Sequence, residues 1–303
     1  MAAALGIDIG GTAAKLAIVA SDGRILRRTQ VATGRQRRAD ELVAAIERAA
    51  RELFAGEARA SLCGAGVAGP GVRAPDGSGF VNVSNLPEID GFPLRDALAE
   101  ALGLSVALDN DANAAAVGEY RFGNRQNGRR LHVVTVGTGS GGGMVVEGEV
   151  LRVSWGGLGD SGHVVVQRDG RLCACGGSGC LEALAAVPAM VRAAQQSGLA
   201  VADFPELAAL ARAGDPLALG AVREAAGWLG MGLAAQVHLL GPDRILLGGG
   251  ATDALGDLLF EPARASFWRH CQPFLRDRLT FDRARLGNDA GVIGAAALAF
   301  GGG

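Results

Sequence analysis

A strand, a glycine-rich turn and a second strand occur twice in this chain. The first copy, within residues 5–31, runs LGIDIG, a Gly-Gly turn and KLAIVA, then the turn SDGR and a third strand, ILRRTQVAT. The second runs LHVVTV, GTGSGGG and MVVEGEVL from Leu131 onward. Short apolar runs bounded by glycine read as β-strands. Each copy leads into helical periodicity and a further strand. The pattern therefore predicts an α/β protein of two similar lobes with a cleft between them. It places a hinge near residue 109: residues 1–108 form an N-terminal lobe and 109–288 a C-terminal lobe, with the last helix (289–303) returning to the first.

The helices follow from spacing. ADELVAAIERAARELFAG (39–56) puts Leu42, Val43, Ile46, Ala49, Ala50, Leu53 and Phe54 on one face, and Gly56 can end it. SLCGAGVAG reads as a buried strand running into Pro70-Gly71, PLRDALAEALG (93–103) as a helix, SVALDND (105–111) as a strand, and ANAAAVGE as the start of a helix. Helices are predicted over 181–195, 203–213 and 216–240, a strand over RILLGGG (244–250), and a closing helix of small residues, AGVIGAAALAF. At 303 residues, 49% hydrophobic and 20% charged, the chain can build two cores. Its net charge of -2 gives no pull toward nucleic acid or an anionic membrane. The start, MAAALGIDIG, lacks the basic and apolar regions of a signal peptide, and no apolar run approaches the ~20 residues that span a bilayer. A cytoplasmic protein is expected.

Both glycine turns are candidate anion sites. DIGGTAAK holds Asp8, Gly10, Gly11, Thr12 and Lys15 in one hairpin. Glycines let backbone N–H groups approach phosphate, Thr12 adds a hydroxyl, and Asp8 can hold Mg²⁺ through water. Lys15 is the sole lysine among 29 basic residues. An ordinary hairpin turn is the plain alternative. GTGSGGG matches GxGxxG at Gly137, Gly139 and Gly142, but that motif opens a helix, and here a strand follows. A second phosphate-binding hairpin, with Thr138 and Ser140 as donors, fits better. Lys15 follows alanine, so no P-loop is present. LGGGA (247–251) ends a strand on Gly248, Gly249 and Gly250, where a base or ribose can lie on backbone.

LDNDANAAAVGE carries Asp109, Asn110 and Asp111 at a strand-to-helix junction. A carboxylate there can accept a proton from a substrate hydroxyl, and three polar residues in a row exceed what one helix cap needs. Between Gly159 and Glu182 lies GDSGHVVVQRDGRLCACGGSGCLE. His163, Cys173, Cys175 and Cys180 form the ligand set of a closed tetrahedral zinc site. Disulfides, an iron–sulfur cluster or unligated thiols are the other readings of such a segment. Asp160 and Glu182 flank it as candidate substrate contacts.

DIGGTAAK, GVAGPG (66–71), NLP (85–87), LDNDANAAAVGE, VTVGTGSGGG, GLGDSGH, CACGGSGCLE and LLGGGA occur in one order along essentially the whole chain. In this the chain resembles the ROK family of glucokinase-like sugar kinases, on the actin/hexokinase-like ATPase fold. The resemblance implies ATP-dependent phosphorylation of a hexose or N-acetylhexosamine at the 6-hydroxyl, with Asp111 as catalytic base. It implies that Asn110 and Asn85 bond sugar hydroxyls, and that His163 and Glu182 lie at the sugar's anomeric end, His163 also ligating zinc. It further implies that DIGGT and GTGSGGG hold ATP phosphates with Mg²⁺, that LGGGA holds adenosine, and that the chain forms a homodimer. One position departs from the pattern: Asp160 stands where the family usually has a sugar-binding Glu, a carboxylate shorter by one methylene. Some relatives carry a DNA-binding segment before the first strand; with DIGGT at residue 8, none is expected here.

Overall fold

A computed structural model describes residues 2–34, 38–54, 62–83, 85–123, 128–153, 156–157 and 161–300. In chain order the elements are β1 (Ala3–Ile9), β2 (Ala13–Ala20), β3 (Ile25–Ala32), α1 (Ala39–Leu53), β4 (Leu62–Gly69), β5 (Val72–Arg73), β6 (Phe80–Val81), α2 (Leu94–Leu102), β7 (Val106–Asn110) and α3 (Asp111–Gly118). Then follow β8 (Arg130–Val136), β9 (Ser140–Val146), β10 (Glu149–Val150), β11 (Arg152–Val153), β12 (Gly156–Gly157), α4 (Leu181–Ala185), α5 (Val187–Gln196), α6 (Phe204–Arg212) and α7 (Pro216–Leu240). The chain closes with β13 (Arg244–Gly248), α8 (Gly250–Leu255), α9 (Asp257–His270), β14 (Thr280–Arg283) and α10 (Ala290–Phe300).

The residues fall into two compact units. One comprises 1–127, 143–159 and 289–303; the other 128–142 and 160–288. This division differs from a boundary at residue 109. α3 packs on α10, and α10 in turn lies on β1 and β4, so the residues just after 109 stay with the first sheet.

The first sheet runs β3-β2-β1-β4-β7. Its hairpin strands are antiparallel, and β1, β4 and β7 are parallel. Leu5, Ile7, Leu16, Ile18 and Val67 are fully or almost fully buried beneath α1, whose inward residues include Leu42, Ile46 and Ala50. Glycine sets how closely α10 approaches. A Cβ on Gly66 would lie 1.8 Å from the Ala295 carbonyl oxygen, and one on Gly6 2.1 Å from that of Val292. On α10 itself, a Cβ at Gly294 would meet the Ala114 carbonyl at 1.8 Å. The small-residue character of AGVIGAAALAF is thus a packing requirement.

The second sheet runs β10-β9-β8-β13-β14, with β8, β13 and β14 parallel. The hairpin-then-parallel-strand order of the first sheet recurs, as the sequence pattern implies. The core of this second unit centres on Leu229, Leu233, Ile245, Leu247 and Phe267, with α7 packed on α9. No described helix is long and apolar enough to cross a membrane.

Candidate functional site

The first unit gathers its polar residues where β1, β7 and α3 meet their turns. Gly10 to Thr12 link β1 to β2, and the Gly10 N–H closes on the Ala13 carbonyl at 3.0 Å. Asp8 and Lys15 are register partners on the two strands. Burial raises the pKa of Asp8, and the Lys15 charge opposes that rise. A Cβ on Gly291 would fall 2.6 Å from an Asp8 carboxylate oxygen, so glycine brings the start of α10 against this acid. Asn85 is exposed and neighbours the turn: its Nδ2 is 3.7 Å from where a Gly11 Cβ would stand.

At the β7–α3 junction the three polar residues divide their labour. Asn110 is the helix cap: its Oδ1 accepts from the N–H groups of Ala112 at 2.9 Å and Asn113 at 3.3 Å. Its Nδ2 donates to the Gly71 carbonyl at 2.8 Å. Asp109 is fully buried and accepts from the Asn110 N–H (2.8 Å), Asn113 Nδ2 (2.9 Å) and Arg152 Nη2. Asp111 is exposed, and its Oδ1 accepts from the Ala112 N–H at 2.7 Å. Its pKa is pushed up to about 6, chiefly by burial, and the charge of Asp8 adds to the rise while the Ala112 N–H opposes it. Of the acids at this junction, Asp111 keeps a lone-pair face for a ligand.

The second unit holds the other glycine turns and the cysteine segment. The Gly137 N–H donates to the Gly139 carbonyl at 2.8 Å, closing the turn, and the Val187 N–H donates to the Gly137 carbonyl at 2.9 Å. Thr138 is exposed and Ser140 buried. Glu182 Oε2 accepts from the Ser140 N–H at 2.9 Å and stands 2.7 Å from where a Gly139 Cβ would lie. Glu182 Oε1 is 3.8 Å from Cys173 Sγ, so one carboxylate joins the glycine turn to the cysteine cluster. Gly248 ends β13. Gly249 caps α8 at φ +92, and a Cβ there would meet the Val136 backbone at 2.5 Å, so only glycine fits. Gly250 opens α8 with free space around it.

His163, Cys173, Cys175 and Cys180 place their ligand atoms within 4.8 Å of one another. Cys173 Sγ is 3.7 Å from His163 Nδ1, and Cys175 Sγ is 3.7 Å from Cys180 Sγ. An S–S bond needs ~2.05 Å, so these are not disulfides, and every cysteine is free. A tetrahedral ion with ~2.3 Å bonds to sulfur has S···S edges near ~3.8 Å, which these contacts match. Burial and the two neighbouring thiols push the Cys180 thiol up to about 12, so three thiolates here call for a cation. Gly179 makes the fold of this segment possible: φ is +77, and a Cβ would lie 1.8 Å from the Gln167 carbonyl oxygen.

Three positioning residues carry no sequence signal. Buried His132 on β8 has Nε2 2.9 Å from Gln236 Oε1 and 3.3 Å from Ser161 Oγ, and Gln236 Nε2 donates to the Ser161 carbonyl at 3.0 Å. Together they tie the turn that bears His163 to β8 and α7. Arg152, the partner of Asp109, is the third. Asp160 lies outside the described residues.

The family model of the ROK family matches residues 4–301. The chain belongs to the ROK family. This ROK protein is 34% identical over 307 residues to a glucokinase of Halalkalibacterium halodurans, covering 96% of this chain and 92% of that protein. It is 31% identical over 297 residues to an N-acetylmannosamine kinase of Salmonella typhi, covering 98% of each. Among solved structures, it shares 34% identity and a TM-score of 0.84 with a ROK family glucokinase from Streptomyces griseus in complex with glucose and AMPPNP, covering 99% of this chain and 100% of that one. The two-sheet architecture is therefore that of the actin-like ATPase fold.

Proposed function

We propose that this protein is an ATP-dependent sugar kinase that transfers the terminal phosphoryl group of ATP to the 6-hydroxyl of a hexose, glucose or a related N-acetylhexosamine. The observation that carries this is the division at β7–α3: Asp109 is consumed by three donors and Asn110 by the helix cap, while Asp111 stays exposed with a raised pKa. A base whose pKa lies near working pH is both ionised and able to take a proton in the transition state. Relatives that phosphorylate glucose and N-acetylmannosamine, at 34% and 31% identity, support the substrate class.

Asp111 accepts the hydroxyl proton, and the attacking oxygen takes the phosphoryl group in line with departure of ADP. Positioning and electrostatics supply most of such catalysis. Each unit offers phosphate donors of its own: Gly10, Gly11 and Thr12 in the first, and Gly137, Thr138, Gly139 and Ser140 in the second. Lys15 adds positive charge, and Gly248, Gly249 and Gly250 carry the adenosine. The carboxylates of Asp8 and Asp111 repel one another. That suits a divalent cation on the phosphates, so Asp8 would hold Mg²⁺ through water. When bound, Mg²⁺ offsets charge on the transferring group. Asn85 in the first unit, and Asp160, His163 and Glu182 in the second, are the sugar contacts of this proposal, and Asn110 adds the Nδ2 hydrogen that the Gly71 carbonyl leaves over. Zinc held by His163, Cys173, Cys175 and Cys180 shapes the loop and stays outside the reaction. A homodimer belongs to the same proposal, checked by light scattering.

The test is ADP release screened over glucose, mannose, N-acetylglucosamine and N-acetylmannosamine. Sugar-dependent ADP release that Asp111→Asn abolishes supports the proposal. Sugar-independent ATP hydrolysis, or parental turnover in Asp111→Asn, refutes it.

A further inference from the structure

The first unit holds a polar cavity that the proposed kinase chemistry does not use. It lies along β7, the edge strand of the first sheet, and encloses about 390 Å³. Specific small-molecule pockets run ~300–1,000 Å³. Four arginines line it (Arg73, Arg95, Arg121 and Arg152) against one carboxylate, Glu149.

Among the described residues, two of the four cations have no acidic partner. Arg73 donates its Nε to the Leu108 carbonyl at 3.2 Å, and Arg121 donates Nη1 to the Ala297 carbonyl at 2.6 Å. Carbonyls orient a guanidinium without neutralising it. Arg95 and Arg152 are paired, with Asp96 and Asp109 respectively. A guanidinium offers five donors, and among the described residues each of these arginines engages one or two. Gly77 lies beside this first arginine: a Cβ there would fall 2.2 Å from Arg73 Nη2, the end of a flexible side chain. The arginines come from β5, from α2, from just beyond α3 and from β11, so separate elements contribute guanidinium groups to one lining. A planar carboxylate is filled by one such fork, whereas a phosphate accepts several.

We propose that this cavity binds a phosphate-bearing small anion. Its occupant competes with Asp109 for Arg152. Drawing Arg152 away leaves Asp109 buried with an uncompensated charge, next to the Asn110 cap and the Asp111 base. Occupancy therefore lowers turnover.

The experiment is calorimetric titration of the whole protein, with its nucleotide and sugar sites filled by AMPPNP and glucose. Inorganic phosphate, tripolyphosphate and a hexose 6-phosphate are the probes, and the tightest of them names the source of the phosphate. Arg73→Gln should weaken binding of that probe about fivefold, and Glu149→Gln should tighten it by a similar factor, as one nearby charge in a hydrated pocket dictates. The opposite signs separate the site from damaged folding, which weakens binding in both variants. The parent's turnover should fall on adding the probe, and Arg73→Gln should shift that fall to higher concentration. Absence of binding by every probe overturns the proposal, as does equal binding in parent, Arg73→Gln and Glu149→Gln.

Discussion

The β7–α3 corner and the cysteine segment are both short, polar and crowded, yet they are built on opposite terms. In the cysteine segment every donor turns inward: three sulfurs and one imidazole converge, Gly179 makes room for the chain to close, and Glu182 and the His132–Gln236 pair brace the outside. At the corner, the fold uses Asp109 and Asn110 and leaves Asp111 exposed, with a backbone N–H on one oxygen. A region that shapes a site can satisfy all its own groups. A region that does chemistry has to keep one group unsatisfied, and that group costs stability.

Substitutions can break this contrast. The largest effect is expected from Asp111→Ala or Asp111→Asn, which should lower kcat by roughly 10²–10⁴-fold in a coupled ADP assay, the share a positioned base contributes. Next, Gly179→Ala forces a left-handed backbone position and a clash with the Gln167 carbonyl. It should cost about 1–3 kcal/mol, read by thermal unfolding, with loss of bound zinc by metal analysis. Cys175→Ala should remove the zinc with a milder stability loss and raise KM for sugar more than it lowers kcat.

A pH profile sharpens the comparison. With the Asp111 pKa raised to about 6, kcat/KM should fall as pH drops below about 6, because the protonated acid no longer accepts a proton. Stability moves the other way. The raised pKa means the folded state holds this proton more tightly than the unfolded chain, whose carboxylate titrates near ~3.9. The penalty from Asp111 is therefore absent below that unfolded pKa, grows as pH rises, and is full above about 6. The smallest expected effect follows: Asp111→Asn should raise Tm slightly at pH 7, by no more than about 2 °C since water screens the exposed carboxylate, and not at pH 4.

Much of this was legible in the sequence. The two hairpins, the 216–240 helix and the small-residue final helix follow from glycine punctuation and apolar period. The four side chains of the candidate metal site are close in sequence, so their spacing already groups them. α9 was hidden because Pro262 sits inside it, where proline ordinarily stops a helix. The split between Asp109 and Asp111 was also hidden. Which of two neighbouring acids is neutralised depends on Arg152, far along the chain, and on Asn113, which is otherwise one more polar residue in an alanine-rich helix. His132 and Gln236 meet only because β8 and α7 pack, and the arginine cavity likewise exists only once four separate elements are in place.

Single-turnover phosphoryl transfer to prebound glucose, measured by rapid quench in the parent and in Asp111→Asn, isolates the chemical step from product release. Asp111 as base predicts a transfer rate at least about 100-fold slower in the variant, with the dissociation constant for glucose changed by less than about threefold. Equal transfer rates in the two proteins contradict it.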